Sequence, residues 1–265
     1  MNIRHTLFAT IAISLLLPSA GAAQRWMPGF VSAEFVPGWQ TENGHQMTAL
    51  RIVLEDNWKT YWRAPGDAGV PPSFDWHGSR NVGEVIVHWP RPQLFDNAGM
   101  RTAGYTREMI LPIEVVPVDP AQDVWLAAEV SLGICNEICV PLQVNVFDLL
   151  EGPGDAAPEI SNALALQPEL REGIATCAVE PVLDGVRVTA EISMPDLGGD
   201  EVALFELDDT PAWFSDSSNS REGAVLTSTV EIVPYNARPF ELNQQALRIT
   251  VLGNDGAVEI RGCSR

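Results

Sequence analysis

The stretch Val124-Trp125-Leu126-Ala127-Ala128-Glu129-Val130-Ser131-Leu132-Gly133-Ile134-Cys135-Asn136-Glu137-Ile138-Cys139-Val140-Pro141-Leu142-Gln143-Val144-Asn145-Val146-Phe147 holds two runs, Val124 to Leu132 and Val140 to Phe147, in which apolar and polar residues alternate. A period of two places the apolar set on one face of a half-buried strand. Between the runs, Cys135 and Cys139 bracket Asn136, Glu137 and Ile138. Residues four apart in an extended strand stand ~13 Å apart, too far for a disulfide. A bond between these thiols therefore requires a bend at Asn136-Glu137-Ile138, and Asn favours turns. The expectation is a hairpin or turn with both sulfurs near its mouth. Its polar tip leaves the bond accessible to another protein.

Outward from this segment, the same alternation recurs at Thr48 to Glu55, Val82 to Trp89 and Arg107 to Val116, with Pro or Gly clusters between several of the runs. Short strands at such spacing read as a sandwich or barrel. Pro65-Gly66-Asp67-Ala68-Gly69-Val70-Pro71-Pro72 fits neither strand nor helix and is expected as a surface loop. This first β domain spans residues 24–150. Glu151 to Pro158 is rich in Gly, Pro, Ala and Asp, and Glu159 to Glu172 has helical character broken at Pro168. Residues 151–175 are thus expected as a linker. Beyond it, Val186 to Met194, Glu201 to Leu207, Ala224 to Val233 and Leu247 to Leu252 alternate again. Leu183-Asp184-Gly185 and Asn254-Asp255-Gly256 supply hairpin signals. The predicted class is all-β, two tandem β-sandwich domains joined by a short, partly helical linker, with the smaller one at 176–265.

Residues 1–23 carry Arg4 and His5, an apolar run from Leu7 to Leu17 and the small-residue end Ala20-Gly21-Ala22-Ala23, the pattern of a secretory signal peptide. The run is short of the ~20 residues a membrane helix needs, and no other stretch approaches that length. The expected mature protein is soluble, periplasmic or secreted, with no stable membrane insertion. The chain has 265 residues and a formal charge of -19. So acidic a surface repels nucleic acid and anionic lipid, leaving solubility and partner selection as uses of the charge. Four His residues without a Gly-x-Ser-x-Gly motif or paired metal-ligand spacing give no support to a hydrolase.

In an oxidising compartment the four cysteines divide by position. Cys177 opens the second domain and Cys263 closes it. In the chain-entropy treatment, bonding them is worth roughly 4.5 kcal/mol, whereas closing the short loop from Cys135 to Cys139 is worth only about 2. Cys177 and Cys263 therefore read as a structural disulfide, and Cys135 and Cys139 as a redox pair. Neither Lys nor Arg occurs between Glu129 and Glu169, and Glu137 sits between the thiols. Local charge by this reading disfavours the thiolates and makes the reduced pair an electron donor.

The run Trp58-Lys59-Thr60-Tyr61-Trp62-Arg63-Ala64-Pro65-Gly66-Asp67-Ala68-Gly69, followed by Pro71-Pro72-Ser73-Phe74-Asp75-Trp76, Val87-His88-Trp89-Pro90, Phe95 through Gly104-Tyr105, Leu111-Pro112 and Cys135-x-x-x-Cys139-x-Pro141, resembles the amino-terminal periplasmic region of DsbD and ScsB-type thiol:disulfide interchange reductases. The resemblance covers most of residues 26 to 150 and, more weakly, the second domain. It implies an immunoglobulin-like sandwich that takes electrons at a cysteine pair from a thioredoxin-like domain and passes them to oxidised periplasmic proteins. Cys135 and Cys139 match that pair. The family's shielding loop corresponds to Leu94 to Arg101, with Phe95 as apolar cover, and Tyr61 and Trp62 are implied near the pair from a neighbouring strand, ordinary core packing being the alternative for both. The three-residue gap is closer to the ScsB type, associated with copper tolerance. The chain contains no Cys-x-x-Cys, so the expectation is a periplasmic output module supplied by a membrane-embedded electron donor on a separate polypeptide.

Two other classes remain open at this level. The thiolates could bind copper together with Met100, Met109 or His88, since soft sulfur ligands suit the monovalent ion. Alternatively, both disulfides are structural and the sandwich edges serve as a protein-interaction module. No cofactor or resident metal is expected.

Overall fold

The computed structural model describes residues 27–66, 68–97, 100–235 and 240–264. The expected leader, residues 1–23, lies outside the described residues. The first half folds as β1 (Phe30–Gln40), β2 (Gln46–Leu54), β3 (Lys59–Tyr61), β4 (Ser73–Asp75), β5 (Val82–Val87), β6 (Gln93–Asn97), β7 (Met100–Thr106), β8 (Glu108–Pro117), β9 (Val124–Cys135) and β10 (Cys139–Leu150). Two sheets form, in the orders β1-β2-β8-β5 and β10-β9-β3-β7-β6, with β4 also paired to β9. Leu50, Ile52, Leu111 and Ile113 of the first sheet meet Leu126, Val130, Leu132 and Ile134 of the second in one closed core. The alternation in β9 spends its even-numbered residues on this core. Its odd-numbered residues, among them Gly133 and Cys135, occupy the opposite face.

The segment expected as a linker is docked on both neighbours. In α1 (Pro158–Ala165), Pro occupies the first turn, where a missing N–H costs nothing, and Ile160 and Ala163 are buried. Ile160 packs with Val36, Met47 and Ala49 on the outer side of β1 and β2. The helix stops ahead of Pro168, and β11 (Glu169–Arg171) then runs parallel to β19 (Ala257–Arg261) of the second sandwich. That sandwich contains β12 (Ala175–Pro181), β13 (Val186–Ser193), β14 (Val202–Leu207), β15 (Ala212–Phe214), β16 (Ser218–Glu222), β17 (Val225–Pro234) and β18 (Leu247–Leu252). Its sheets run β11-β19-β18-β14 and β12-β13-β17-β15, with β16 on β17. Val188, Ile192, Ile232, Ile249 and Ile260 fill the space between them.

A polar seam joins the two halves. Arg63, two residues after β3, donates from Nε to Glu206 at 3.0 Å and from a terminal nitrogen to Glu259 at 2.6 Å. Its guanidinium carbon stands 4.3 Å from the Trp62 ring. Burial pushes the Glu206 carboxyl up, and Arg63 and Arg248 only partly offset it. Burial acts the same way on Glu259, but there Arg63, Arg261 and Arg248 outweigh it and hold the carboxyl below its ordinary range.

Candidate functional site: a cysteine pair at a hairpin mouth

Strands β9 and β10 pair without interruption from Val124↔Leu150 to Cys135↔Cys139. Asn136, Glu137 and Ile138 close the hairpin, the Asn136 N–H donating to the Ile138 carbonyl at 3.0 Å. The bend required by the spacing is therefore a three-residue turn. Cys135 and Cys139 are disulfide-bonded, with Cα atoms 4.1 Å apart. The two sulfurs are not equivalent, because Cys135 is 1% exposed while Cys139 lies in the exposed tip.

The burial of Cys135 comes from β3. Lys59 pairs with Cys135 and Thr60 with Ile134, and the Thr60 hydroxyl donates to the Gly133 carbonyl at 3.0 Å. Paired residues of an antiparallel ladder share a face, so Lys59 and Tyr61 stand on the same side of the sheet as Cys135. The Tyr61 hydroxyl lies 3.1 Å from Cys135 Sγ and 3.7 Å from Cys139 Sγ. Gly133 makes room for this ring, since a Cβ there would stand 3.3 Å from Tyr61 Cε2. Burial raises the Tyr61 pKa, which keeps the phenol protonated and able to donate to sulfur. The Pro65–Pro72 loop closes over the ring from outside. A Cβ on Gly69 would meet Tyr61 Cδ1 at 3.0 Å.

Leu94 to Arg101, expected as a loop, belongs to the β6–β7 hairpin at the sheet edge, and residues 98–99 at its tip lie outside the described residues. Phe95 is half-buried there, opposite Thr102, with its ring centroid 4.9 Å from Lys59 Nζ. Trp62 goes elsewhere. It is fully buried with Ala64 and Ala103, against Trp89, Leu94, Tyr105 and Leu204, where it belongs to the seam between the sandwiches. Cys177 and Cys263 are bonded and buried in the second core, linking β12 to the chain just after β19. Of the sulfur and nitrogen groups considered as copper ligands, Met109 sits in the first core, His88 bonds Glu114 at 3.0 Å on the other sheet, and Met100 is exposed on β7. Met109 and His88 are thus not gathered at the cysteine pair.

Lys59 is the residue that reasoning from local sequence missed. Charge counted along the chain around Cys135 contained only Glu137, whereas the register places a cation directly opposite the buried cysteine. The i, i+2 spacing of Lys59 and Tyr61 predicts a shared face, but nothing in the sequence says that a three-residue strand adjoins β9.

Residues 31–151 match the family model of the thiol:disulfide interchange protein DsbD, N-terminal. This region is a domain of the DsbD amino-terminal family. The matched stretch ends one residue after β10 and includes both cysteines, Tyr61, Lys59 and Phe95. A crystal structure of the N-terminal periplasmic domain of ScsB from Proteus mirabilis superposes with a TM-score of 0.66 at 23% sequence identity, covering 88% of this chain and 92% of that one. The likeness of fold thus extends through the second sandwich. No curated protein sequence matches the chain. Among the described residues, no helix is long and apolar enough to cross a membrane.

Proposed function

We propose that the chain is a periplasmic thiol:disulfide interchange module that passes electron pairs through Cys135 and Cys139, from a thioredoxin-like donor to oxidised periplasmic proteins. The observation that carries this reading is the asymmetry of the pair, one sulfur exposed and the other buried under a phenol hydroxyl. A donor thiolate attacks the exposed Cys139 Sγ, a donor–Cys139 disulfide forms, and the Cys135–Cys139 bond breaks with its electron pair leaving on Cys135 Sγ. The Tyr61 hydroxyl is placed to donate a hydrogen bond to that leaving sulfur. The donor's second thiolate then attacks its own sulfur in the mixed disulfide, so the donor departs oxidised and both cysteines are reduced. In the second half of the cycle the Cys139 thiolate attacks a recipient disulfide, and Cys135 resolves the adduct, restoring the starting bond and releasing a reduced recipient.

The surroundings support docking of a protein rather than of a small molecule. Ile138 on the hairpin tip and Val70 in the covering loop are both more than half exposed, and exposed apolar side chains around a reactive group mark interaction surfaces. Phe95 takes the role of shield against small oxidants, and Cys177–Cys263 that of a structural tie. In this reading electrons reach the thioredoxin-like donor from a membrane-embedded carrier. The test is to mix the oxidised protein with a reduced thioredoxin-like dithiol protein and assign free thiols by alkylation and mass spectrometry. Labelling of Cys135 and Cys139 with Cys177–Cys263 left intact is expected. Resistance of both disulfides would overturn the proposal.

A further inference from the structure

We infer that the cleft between the two sandwiches docks an extended, basic segment of the oxidised recipient, which adds as a strand to the free edge of β14. The inference rests on the exchange reaction assigned to Cys139 and adds the surface that selects its protein substrate. The cleft is a cavity of about 490 Å³, walled on one side by Pro65, Gly69 and Pro71 of the covering loop and on the other by β14 and β15. Both strands stand at the ends of their sheets. Strand parity shows which backbone groups these edges offer. The Ala203 N–H donates to Asn219 Oδ1 and its carbonyl accepts from Ser217 Oγ, so the Ala203 backbone faces away from β18. Alternation in an antiparallel ladder turns the N–H and C=O of Phe205 and Leu207 the same way, on the side where both residues line the cleft. On β15 the Tyr235 N–H donates to the Pro211 carbonyl and the Ser215 N–H to the Glu231 carbonyl, so Ala212 and Phe214 face outward by the same rule.

Among the described residues no strand pairs with the outer edge of β14 or β15. An unpaired edge is a template for another chain, and the ligand that satisfies it is an extended backbone. Charge selects among such segments. The cleft walls carry three carboxylates, Asp96, Glu206 and Asp216, against the guanidiniums of Arg63 and Arg101, and Arg63 is already held by Glu206 and Glu259. The chain as a whole has a formal charge of -19, so a basic segment is drawn in and an acidic one repelled. A single loop separates the cleft from the cysteine pair. A Cβ on Gly69, which lines the cleft, would meet Tyr61 Cδ1 at 3.0 Å, and one on Gly133 would meet Val70 Cβ at 3.6 Å. A segment seated on β14 therefore holds a neighbouring disulfide of the same protein close to Cys139, and the attack on it becomes intramolecular.

The experiment uses the full chain with Cys135 and Cys139 reduced, and a synthetic peptide bearing one cysteine blocked as a thionitrobenzoate disulfide, a Gly-Ser spacer and the stretch Lys-Val-Lys-Val-Lys-Val. The Cys139 thiolate attacks the peptide's cysteine sulfur, thionitrobenzoate leaves and is read by its colour, and Cys135 then displaces the peptide thiol from Cys139. Release is expected to run about tenfold or more faster than from a peptide with only Gly-Ser after its cysteine, because docking raises the effective concentration of the disulfide. Replacing Lys by Glu should abolish the gain. N-methylation throughout the Lys-Val stretch should abolish it too, since it keeps the charge and removes the backbone donors. Leu207→Pro should do the same from the protein side, deleting an outward N–H while sparing the ladder to β18. Equal rates for the Lys-Val and Gly-Ser peptides would overturn the inference and leave the exchange reaction standing. A gain that survives N-methylation or Leu207→Pro would overturn strand addition to β14. No release from any peptide would remove the exchange reading itself, and the inference with it. If Leu207→Pro fails to fold, the N-methylated peptide carries the test on the unaltered chain.

Discussion

Replacing Cys177 and Cys263 together by alanine removes a tie between positions 86 apart in sequence, whereas replacing Cys135 and Cys139 removes one between positions only 4 apart. Loop-closure entropy makes the first loss roughly 4.5 kcal/mol and the second at most about 2. Structure widens the gap. Cys177 and Cys263 are buried in the second core, so their removal also leaves space behind. Cys135 and Cys139 are already held opposite each other by the β9–β10 ladder, so their bond adds little to the hairpin. At about 4–8 °C of melting temperature per kcal/mol for a domain near this size, the long pair is worth some 20 °C or more and the short pair less than about 15 °C. Thermal unfolding followed by near-UV circular dichroism measures both. The Cys177/Cys263 variant should still exchange at Cys135 and Cys139, and the converse variant should melt above it without exchanging. A short-pair variant that melts lower than the long-pair variant would refute the division into redox centre and staple.

Tyr61→Phe should raise the thiol pKa of the reduced pair by about one unit through loss of the donor to sulfur; ultraviolet titration of the thiolate checks this, and an unchanged titration would remove Tyr61 from the chemistry. Arg63→Met leaves Glu206 and Glu259 buried without their shared cation, and a loss of ~3–5 kcal/mol in denaturant unfolding is expected. The Glu259 carboxyl is held below its ordinary value of 4.5, so its contribution is present above that pH and is lost as pH falls through the folded value. Glu206 is shifted the other way and acts with opposite sign, so Glu259→Gln should flatten the acid limb of the melting curve, and an acid limb as steep as wild type would contradict this. Phe95 is only half-buried, so Phe95→Ala should cost well under the ~3–5 kcal/mol of a core Phe truncation, as chemical denaturation would show.

Strands that set one face on a core were legible in the sequence, because burial of that face imposes a period of two; β2, β8, β9 and β10, and β5 with its partly buried valines, all follow their alternating runs within a few residues. What escaped lacks that period. β1 contains Pro37 and Gly38 at an irregular register beside β2, tolerated because β1 is an edge, and a Cβ on Gly38 would stand 2.1 Å from the Met47 carbonyl oxygen. β3 is too short to show a pattern, and β6 and β7 flank a turn-rich segment that reads as loop. The site divides in the same way. The bend between the cysteines followed from spacing alone. Lys59 against Cys135, the separation of Tyr61 from Trp62 and the Arg63 seam depend on which distant strands adjoin, and local sequence carries no record of that. The seam also couples the two halves, since Arg63 follows Tyr61 by two residues and is held by the second sandwich.

The central claim is that Cys139 is the sulfur a thioredoxin-like protein attacks. A thioredoxin-like protein whose resolving cysteine has been replaced, mixed in its reduced form with the oxidised chain, should be trapped as a mixed disulfide. Peptide mapping of the adduct is predicted to find the bond at Cys139, with Cys135 free and Cys177–Cys263 intact. No adduct, or an adduct at Cys177 or Cys263, would contradict the account.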